Sequence, residues 1–276
     1  MKKLALNASL RLFVGLAGSI SCSSFAFETG AWRNLDPENT LIIDSSKGRL
    51  IIEMRPELAP KAIERIKLLT REKIYDGLQF HRVIAKFVAQ TGNPNNKNGG
   101  TSSHPDLPPE MVFRTSYTNI GAWATQSSDS SSGFIGTVPI QSLPLKDANK
   151  NGQAALRSWG AHCPGVAGMG RDEARDSANS ELYFMLDAYR PLDRDYTVFG
   201  RVVSGMDVLL SLQHGEPPAH PDVMQTVRIM ADIPESSRPA IKVPSDTAMS
   251  KMIAQTREEI GADFSVCDVR IPSKMD

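Results

Sequence analysis

The sequence predicts a mostly β fold, a barrel or a sandwich, and three observations carry that prediction. Short β-branched or alternating runs recur along most of the 276 residues. Only two or three stretches have helical spacing. Turn-rich segments of Gly, Pro, Asn and Ser separate the runs at short intervals.

Taken in order, Thr40–Asp44 and Arg49–Met54 are two such runs flanking Ser-Ser-Lys-Gly, a hairpin signal. Pro60 opens a helix to about Arg71, because Ala62, Ile63, Ile66 and Leu69 recur with helical spacing and proline suits a first turn. Phe80–Ile84 and a run from Phe87 have strand character, and residues 91–109 read as a long loop. Residues 116–160, rich in Ser, Gly and Gln, form an elaborated insertion of short strands, held to the body by Trp123 and Trp159. Gly165–Met169, Glu181–Leu186, Tyr196–Val203 and Met224–Met230 continue the strands, with a short helix over Gly205–Gln213. The tail, 233–276, carries one helix from the spacing of Met249, Met252, Ile253, Thr256 and Ile260, ended by Gly261. Phe264–Val269 alternates like an added strand.

Residues 1–26 read as an export signal: Lys2 and Lys3, an apolar stretch from Leu12 to Ile20, then Ser24-Phe25-Ala26 before a cleavage point. That stretch is too short for a membrane span, and nothing else approaches one. A lead-in, 27–39, then precedes the main domain, 40–232. The expected location is periplasmic or secreted. Beyond residue 26 the chain holds 28 basic and 31 acidic residues, so bulk charge selects neither nucleic acid nor an acidic surface. Cys163 and Cys267 remain there, either bridged in an oxidising compartment or two buried thiols, and the sequence leaves both open.

Several chemistries drop out. The five histidines make no metal-binding spacing, and no nucleophile elbow or P-loop is present. No metal or cofactor is expected. His162 and Cys163 are adjacent, which on a strand points them to opposite faces, so a structural role is the better account than a catalytic pair. Gly168-Met169-Gly170 lacks the rest of a dinucleotide fingerprint and marks a turn or a close backbone approach. Arg82, an always-charged multiple donor inside an alternating strand, is left as the candidate, with Gln90 near it.

Phe80-His81-Arg82-Val83-Ile84 followed by Phe87-x-x-Gln90-x-Gly92 resembles the central signature of the cyclophilins, the prolyl cis/trans isomerases. Asn179-Ser180-Glu181-Leu182-Tyr183-Phe184 and Leu192-Asp193-x-x-Tyr196-x-x-Phe199-Gly200-x-Val202 resemble two more family blocks, in family order. The likeness covers about residues 40–232 apart from the insertion, and extends to exported, insert-bearing bacterial members. It implies a closed eight-stranded antiparallel barrel with capping helices. It also implies that Arg82 is the catalytic arginine and that Phe87, Val88, Gln90 and Leu192 line a proline pocket, with Tyr183 and Tyr196 in positions usually held by phenylalanine and histidine. Gly170 and Arg171 fall where the backbone receives the substrate chain. The implied function is isomerisation of X-Pro bonds in unfolded or flexible polypeptides, by a monomer; a catalytically weak proline-peptide binder or chaperone is the alternative. Three departures matter. Ala85-Lys86 stands for the usual Pro-Gly, Glu181 replaces a glutamine and either orients Arg82 or competes for it, and Pro191 replaces a tryptophan.

Overall fold

Period-two alternation decides how the first hairpin is used. In the computed structural model, which describes residues 30–97, 100–144 and 155–275, strand β1 is Trp32–Asn34, β2 is Thr40–Ser45 and β3 is Gly48–Met54. Leu41, Ile43, Leu50 and Ile52 face the main core, whereas Ile42 and Ile51 face a second, smaller core with Leu35, Val203, Met230, Ile241 and Val243. Successive strand residues point to opposite sides, so a run that is apolar throughout must be covered on both faces. The cover is a small sheet ordered β1–β15–β16, with β15 at Ile241–Pro244 and β16 at Lys274–Met275. The lead-in and the tail, separate in the sequence reading, are therefore one layer. The export segment lies outside the described residues.

Helix α1, Pro60–Arg71, matches its expected bounds and buries Ala62, Ile63, Ile66 and Leu69. Ala59 supplies no side-chain cap. Instead the Glu110 carboxylate accepts the free N–H groups of Lys61 (3.1 Å) and Ala62 (2.9 Å), the end of a helix that favours negative charge. Strands β4 (Arg82–Ile84) and β5 (Val88–Thr91) then form a hairpin. Its turn places Lys86 at φ 56, and the Phe87 N–H returns to the Ile84 carbonyl at 3.1 Å. The turn before Phe87 is thus made by a lysine in the left-handed region.

The stretch expected to be an insertion builds a separate sheet whose first strand starts at Phe113: β6 (Phe113–Ser116), β7 (Ala122–Gln126), β8 (Ser131–Ile135), β9 (Val138–Ser142) and β10 (Ala155–Gly160), ordered β6–β10–β9–β8–β7. Trp123 stacks on Tyr117 (ring centroids 4.9 Å) and also packs against the main core. Trp159 faces the body, under the Arg194 guanidinium at 5.0 Å. A stronger tie is the buried Glu53, which accepts the Thr137 N–H (3.0 Å) and hydroxyl (2.7 Å) and pairs with Arg33 (2.8 Å) and Arg55 (3.1 Å).

Strands β11 (Val166–Met169), β12 (Leu182–Met185), β13 (Val198–Ser204) and β14 (Met224–Ile229) complete the main sheet, ordered β14–β2–β3–β13–β11–β12–β5–β4. Of the expected eight-stranded barrel, the structure shows a strongly curled sheet that hydrogen bonds do not close. The sheet has eight antiparallel strands around one core, but no continuous ladder joins β4 to β14. The seam is spanned where the chain before β4 meets the start of β14: Phe80 donates to the Asp222 carbonyl (2.8 Å) and Met224 to the Leu78 carbonyl (2.8 Å). Short helix α2, Met206–Leu210, follows β13.

The tail helix, α3 (Asp246–Ile260), starts on the Ser245 side chain and puts Met249 and Ile253 into the main core, against the insertion's β7. Phe264–Val269 is not a strand. It contains a 3-10 turn, Val266–Asp268, because Ser265 and Asp268 satisfy each other's backbone N–H groups in a capping box. Cys267 in that segment is bridged to Cys163, which fastens the tail beside the insertion.

Candidate active site

Register places the site. Arg82 on β4 lies directly opposite Gln90 on β5, Gln90 opposite Tyr183 on β12, and Tyr183 opposite Gly168 on β11. Directly opposed residues share a face, so these four form one row across the outside of the curled sheet. The alternate residues Val83, Ala89, Phe184 and Ala167 are buried in the main core. Gly168 is required there: a Cβ at that position would meet the Tyr183 ring at 2.2 Å.

The row is wired by hydrogen bonds. Arg82 donates to the Gln90 Oε1 at 2.5 Å, Gln90 Nε2 donates to the Glu181 Oε1 at 2.6 Å, and Asn93 Nδ2 donates to the Glu181 Oε2 at 2.5 Å. A carboxylate only accepts, so Glu181 fixes which end of the Gln90 amide faces Arg82. Glu181 makes no hydrogen bond to Arg82. Of the two roles expected for it, orienting and competing, the geometry supports orienting, through Gln90. A second carboxylate, Glu216, accepts from Arg82 Nε at 3.1 Å, but its side chain is 54% exposed, so that pair is weak.

Apolar groups gather beside this donor. The Arg82 guanidinium lies 5.8 Å from the Phe87 ring centroid, and Tyr189 meets Phe87 edge-on at 5.0 Å. Val88 is buried, and Leu192 and Tyr196 are half-buried against the same core. Tyr183 meets Tyr196 edge-on at 6.0 Å. Gly170 donates its N–H to the Glu181 carbonyl (2.9 Å), and a Cβ there would strike the Glu181 carboxylate at 2.1 Å. Arg171 covers the Tyr196 ring at 4.5 Å and is fixed by Asp195 at 2.9 Å. Arg82, Gln90, Glu181 and Tyr183 thus share the outer face of the sheet, Phe87, Gly170, Tyr196 and Arg171 adjoin it through these contacts, and Leu192 packs against the main core.

One feature the sequence reading missed lies beneath them. The Tyr183 hydroxyl bonds His162 Nε2 (2.7 Å), and His162 Nδ1 bonds Asp193 Oδ1 (2.9 Å). Arg190 then pairs with Asp193 Oδ2 at 2.5 Å and with Gln141 of the insertion. Burial, with the nearby Tyr196 and Asp193, pushes the Tyr183 phenol up, so it stays a neutral donor or acceptor. Burial also works to raise the Asp193 carboxyl, but hydrogen bonding from His162 and the Arg190 charge outweigh it and hold it below its ordinary value. The signal that was available is the tyrosine itself: a buried phenol needs a partner where phenylalanine needs none. His162 is structural, as expected, and Cys163 is in the disulfide. No cluster of His, Cys, Asp and Glu able to hold a metal exists among the described residues.

The family model for cyclophilin type peptidyl-prolyl cis-trans isomerases matches residues 40–231. This chain belongs to the cyclophilin family. A probable peptidyl-prolyl cis-trans isomerase of Brucella suis is 31% identical to this cyclophilin over 217 residues, covering 75% of the chain and 86% of the relative. A peptidyl-prolyl cis-trans isomerase of Schizosaccharomyces pombe is 30% identical over 169 residues, covering 60% and 79%. The crystal structure of the cyclophilin AquaCyp293 from Hirschia baltica superposes with a TM-score of 0.80 at 32% identity, covering 88% of this cyclophilin and 93% of that chain.

Proposed function

We propose that this cyclophilin catalyses rotation about X-Pro peptide bonds in unfolded or flexible polypeptides, with Arg82 as the catalytic residue. The barrier to that rotation is about 20 kcal/mol, because turning the bond breaks amide resonance. As the bond twists, the prolyl nitrogen regains its lone pair and becomes a hydrogen-bond acceptor. A guanidinium fixed beside it stabilises the twisted state more than either planar state, which is the condition for acceleration. The observation that carries the proposal is the chain of bonds from Glu181 through Gln90 to Arg82, which holds the donor next to apolar Phe87 and Val88. The ring of the proline would rest against Phe87, Val88, Leu192, Tyr183 and Tyr196 while the carbonyl side turns, with Gly170 and Arg171 flanking the substrate chain. None of these steps calls for a nucleophile or a cofactor.

The test is cis/trans exchange of an Ala-Pro peptide followed by NMR with catalytic amounts of protein. Acceleration well above the uncatalysed rate is expected. Saturable peptide binding without acceleration would select the alternative, a proline-peptide binder. We further propose export, with cleavage after Ala26, and action as a monomer on exported polypeptides. The charge and apolar pattern of residues 1–26 and the Cys163–Cys267 bridge support export. N-terminal sequencing of the mature protein should begin at Phe27.

A further inference from the structure

Strands β6 and β10 of the insertion set Arg114 and Arg157 directly opposite one another, both exposed. Like charges so placed repel, and among the described residues neither guanidinium meets a carboxylate. Arg157 also lines a cleft of about 410 Å³ together with Arg175 and Arg194 over a floor of Pro109, Met111 and Val112. A row of cations placed against its own repulsion, over an apolar floor, matches a chain that brings its own negative charge.

The cleft adjoins the proline pocket. Arg171, which covers the Tyr196 ring, shares Asp195 with Arg175: Asp195 lies 2.9 Å from Arg171 and 3.3 Å from Arg175. Arg175 in turn donates to the Arg194 carbonyl at 2.8 Å, and Arg194 sits between pocket residues Leu192 and Tyr196 in sequence. Asp195 neutralises part of the charge of Arg171 and Arg175. Arg194 lies over the Trp159 ring with no carboxylate on it among the described residues. The surplus positive charge therefore sits at Arg194, Arg157 and Arg114, moving outward from the pocket onto the insertion.

We propose that this cleft is a second substrate subsite, selecting polypeptides that carry Asp or Glu a few residues from the isomerised proline. The proposal rests on the isomerase reading of the neighbouring pocket and adds its substrate class. It also gives the insertion a task, since β6 and β10 supply the two outermost arginines.

The experiment compares matched Ala-Pro peptides, one with three glutamates and one with three alanines. The block is stepped away from the proline on either side, since each extended residue adds roughly 3.3 Å of reach. An exposed ion pair is worth roughly two- to fivefold, so two pairs should favour the acidic peptide about tenfold in kcat/KM at low salt. That preference should shrink as salt is raised. In Arg114→Gln/Arg157→Gln it should fall below about threefold with turnover of the alanine peptide unchanged, and Arg157→Glu should lower the acidic peptide further. Both side chains are exposed, so the variants should fold, and removing the repulsion should not lower the melting point. Equal turnover of the two peptides by the native protein, or an acidic preference kept by the double variant, would overturn the subsite. If neither peptide is isomerised, the isomerase reading has failed by itself. Binding of the fluorescently labelled acidic peptide then decides: tighter on the native protein than on the double variant supports the cleft, and equal binding refutes it.

Discussion

Replacing Glu181 with glutamine, the residue that the cyclophilin resemblance implies at that place, should damage this protein, and the reason is Asn93. Two amide groups, Gln90 Nε2 and Asn93 Nδ2, donate to the two oxygens of the buried Glu181 carboxylate. A glutamine presents one acceptor and one donor end, so one of the two amides must lose its bond or turn over. If Gln90 turns, its NH2 end faces Arg82 and the guanidinium loses its acceptor. If Asn93 turns, it gives up its other bond, to the Lys97 carbonyl (2.6 Å). A hydrogen bond to a charged group is worth about 1.5–3 kcal/mol, and Glu181→Gln should cost about that much stability. In the Asn93→Ala background a single donor remains and glutamine satisfies it, so the same substitution should cost less than about 1 kcal/mol. The coupling between the two sites should therefore be about 1–2 kcal/mol, read from urea denaturation of the four proteins with the disulfide intact. In parallel, kcat/KM of the single variant should drop about tenfold, the equivalent of about 1.4 kcal/mol of lost orientation at Arg82. Additive effects, within about 0.5 kcal/mol, would refute the shared-acceptor account.

Lys86→Gly should raise stability by about 0.5 kcal/mol, because Lys86 holds φ 56 at an exposed turn where glycine has no steric cost; a lower urea midpoint would contradict this. Replacing Cys163 and Cys267 together by serine should cost roughly 2–5 kcal/mol, since the bridge closes a loop with a separation of 104 residues. A loss below about 1 kcal/mol would show that α3 holds the tail without the bridge. For Asp193 the folded pKa lies below the unfolded value, so its contribution is complete above about pH 4 and lost as pH falls through the folded pKa. Acid unfolding of Asp193→Asn should accordingly depend less steeply on pH below about 4 than that of the native protein, and equal slopes would remove the His162–Asp193 bond from the account.

Local physics made much of the fold legible. The stripe of Ala62, Ile63, Ile66 and Leu69 gives α1 at its observed bounds, and the runs at Thr40 and Arg49 give the first hairpin. What escaped was set by contacts far apart in sequence. Strand β1 is three residues long and pairs with β15 some two hundred residues later, a partnership no local pattern announces. Phe264–Val269 has strand alternation, yet the Ser265–Asp268 capping box turns it into 3-10 structure, a side-chain bond overriding the pattern. In the site, Arg82 and Gln90 could be read because they share one hairpin and one family signature. The relay from Tyr183 through His162 to Asp193 joins three separate segments, so only the tyrosine's need for a partner hinted at it. The arginines of the cleft were likewise unremarkable alone; pairing β6 with β10 makes Arg114 and Arg157 neighbours.

The most direct test of the central claim is a protease-coupled isomerisation assay on an Ala-Pro peptide, comparing the native protein with Arg82→Ala at equal folded concentration. Arg82 is partly exposed, at 25% of its side chain, and its loss leaves the core intact. A fall in kcat/KM of about a hundredfold or more is expected, the size seen when one preorganised donor to the transition state is removed, with little change in peptide affinity. Equal activity of the two proteins would contradict it.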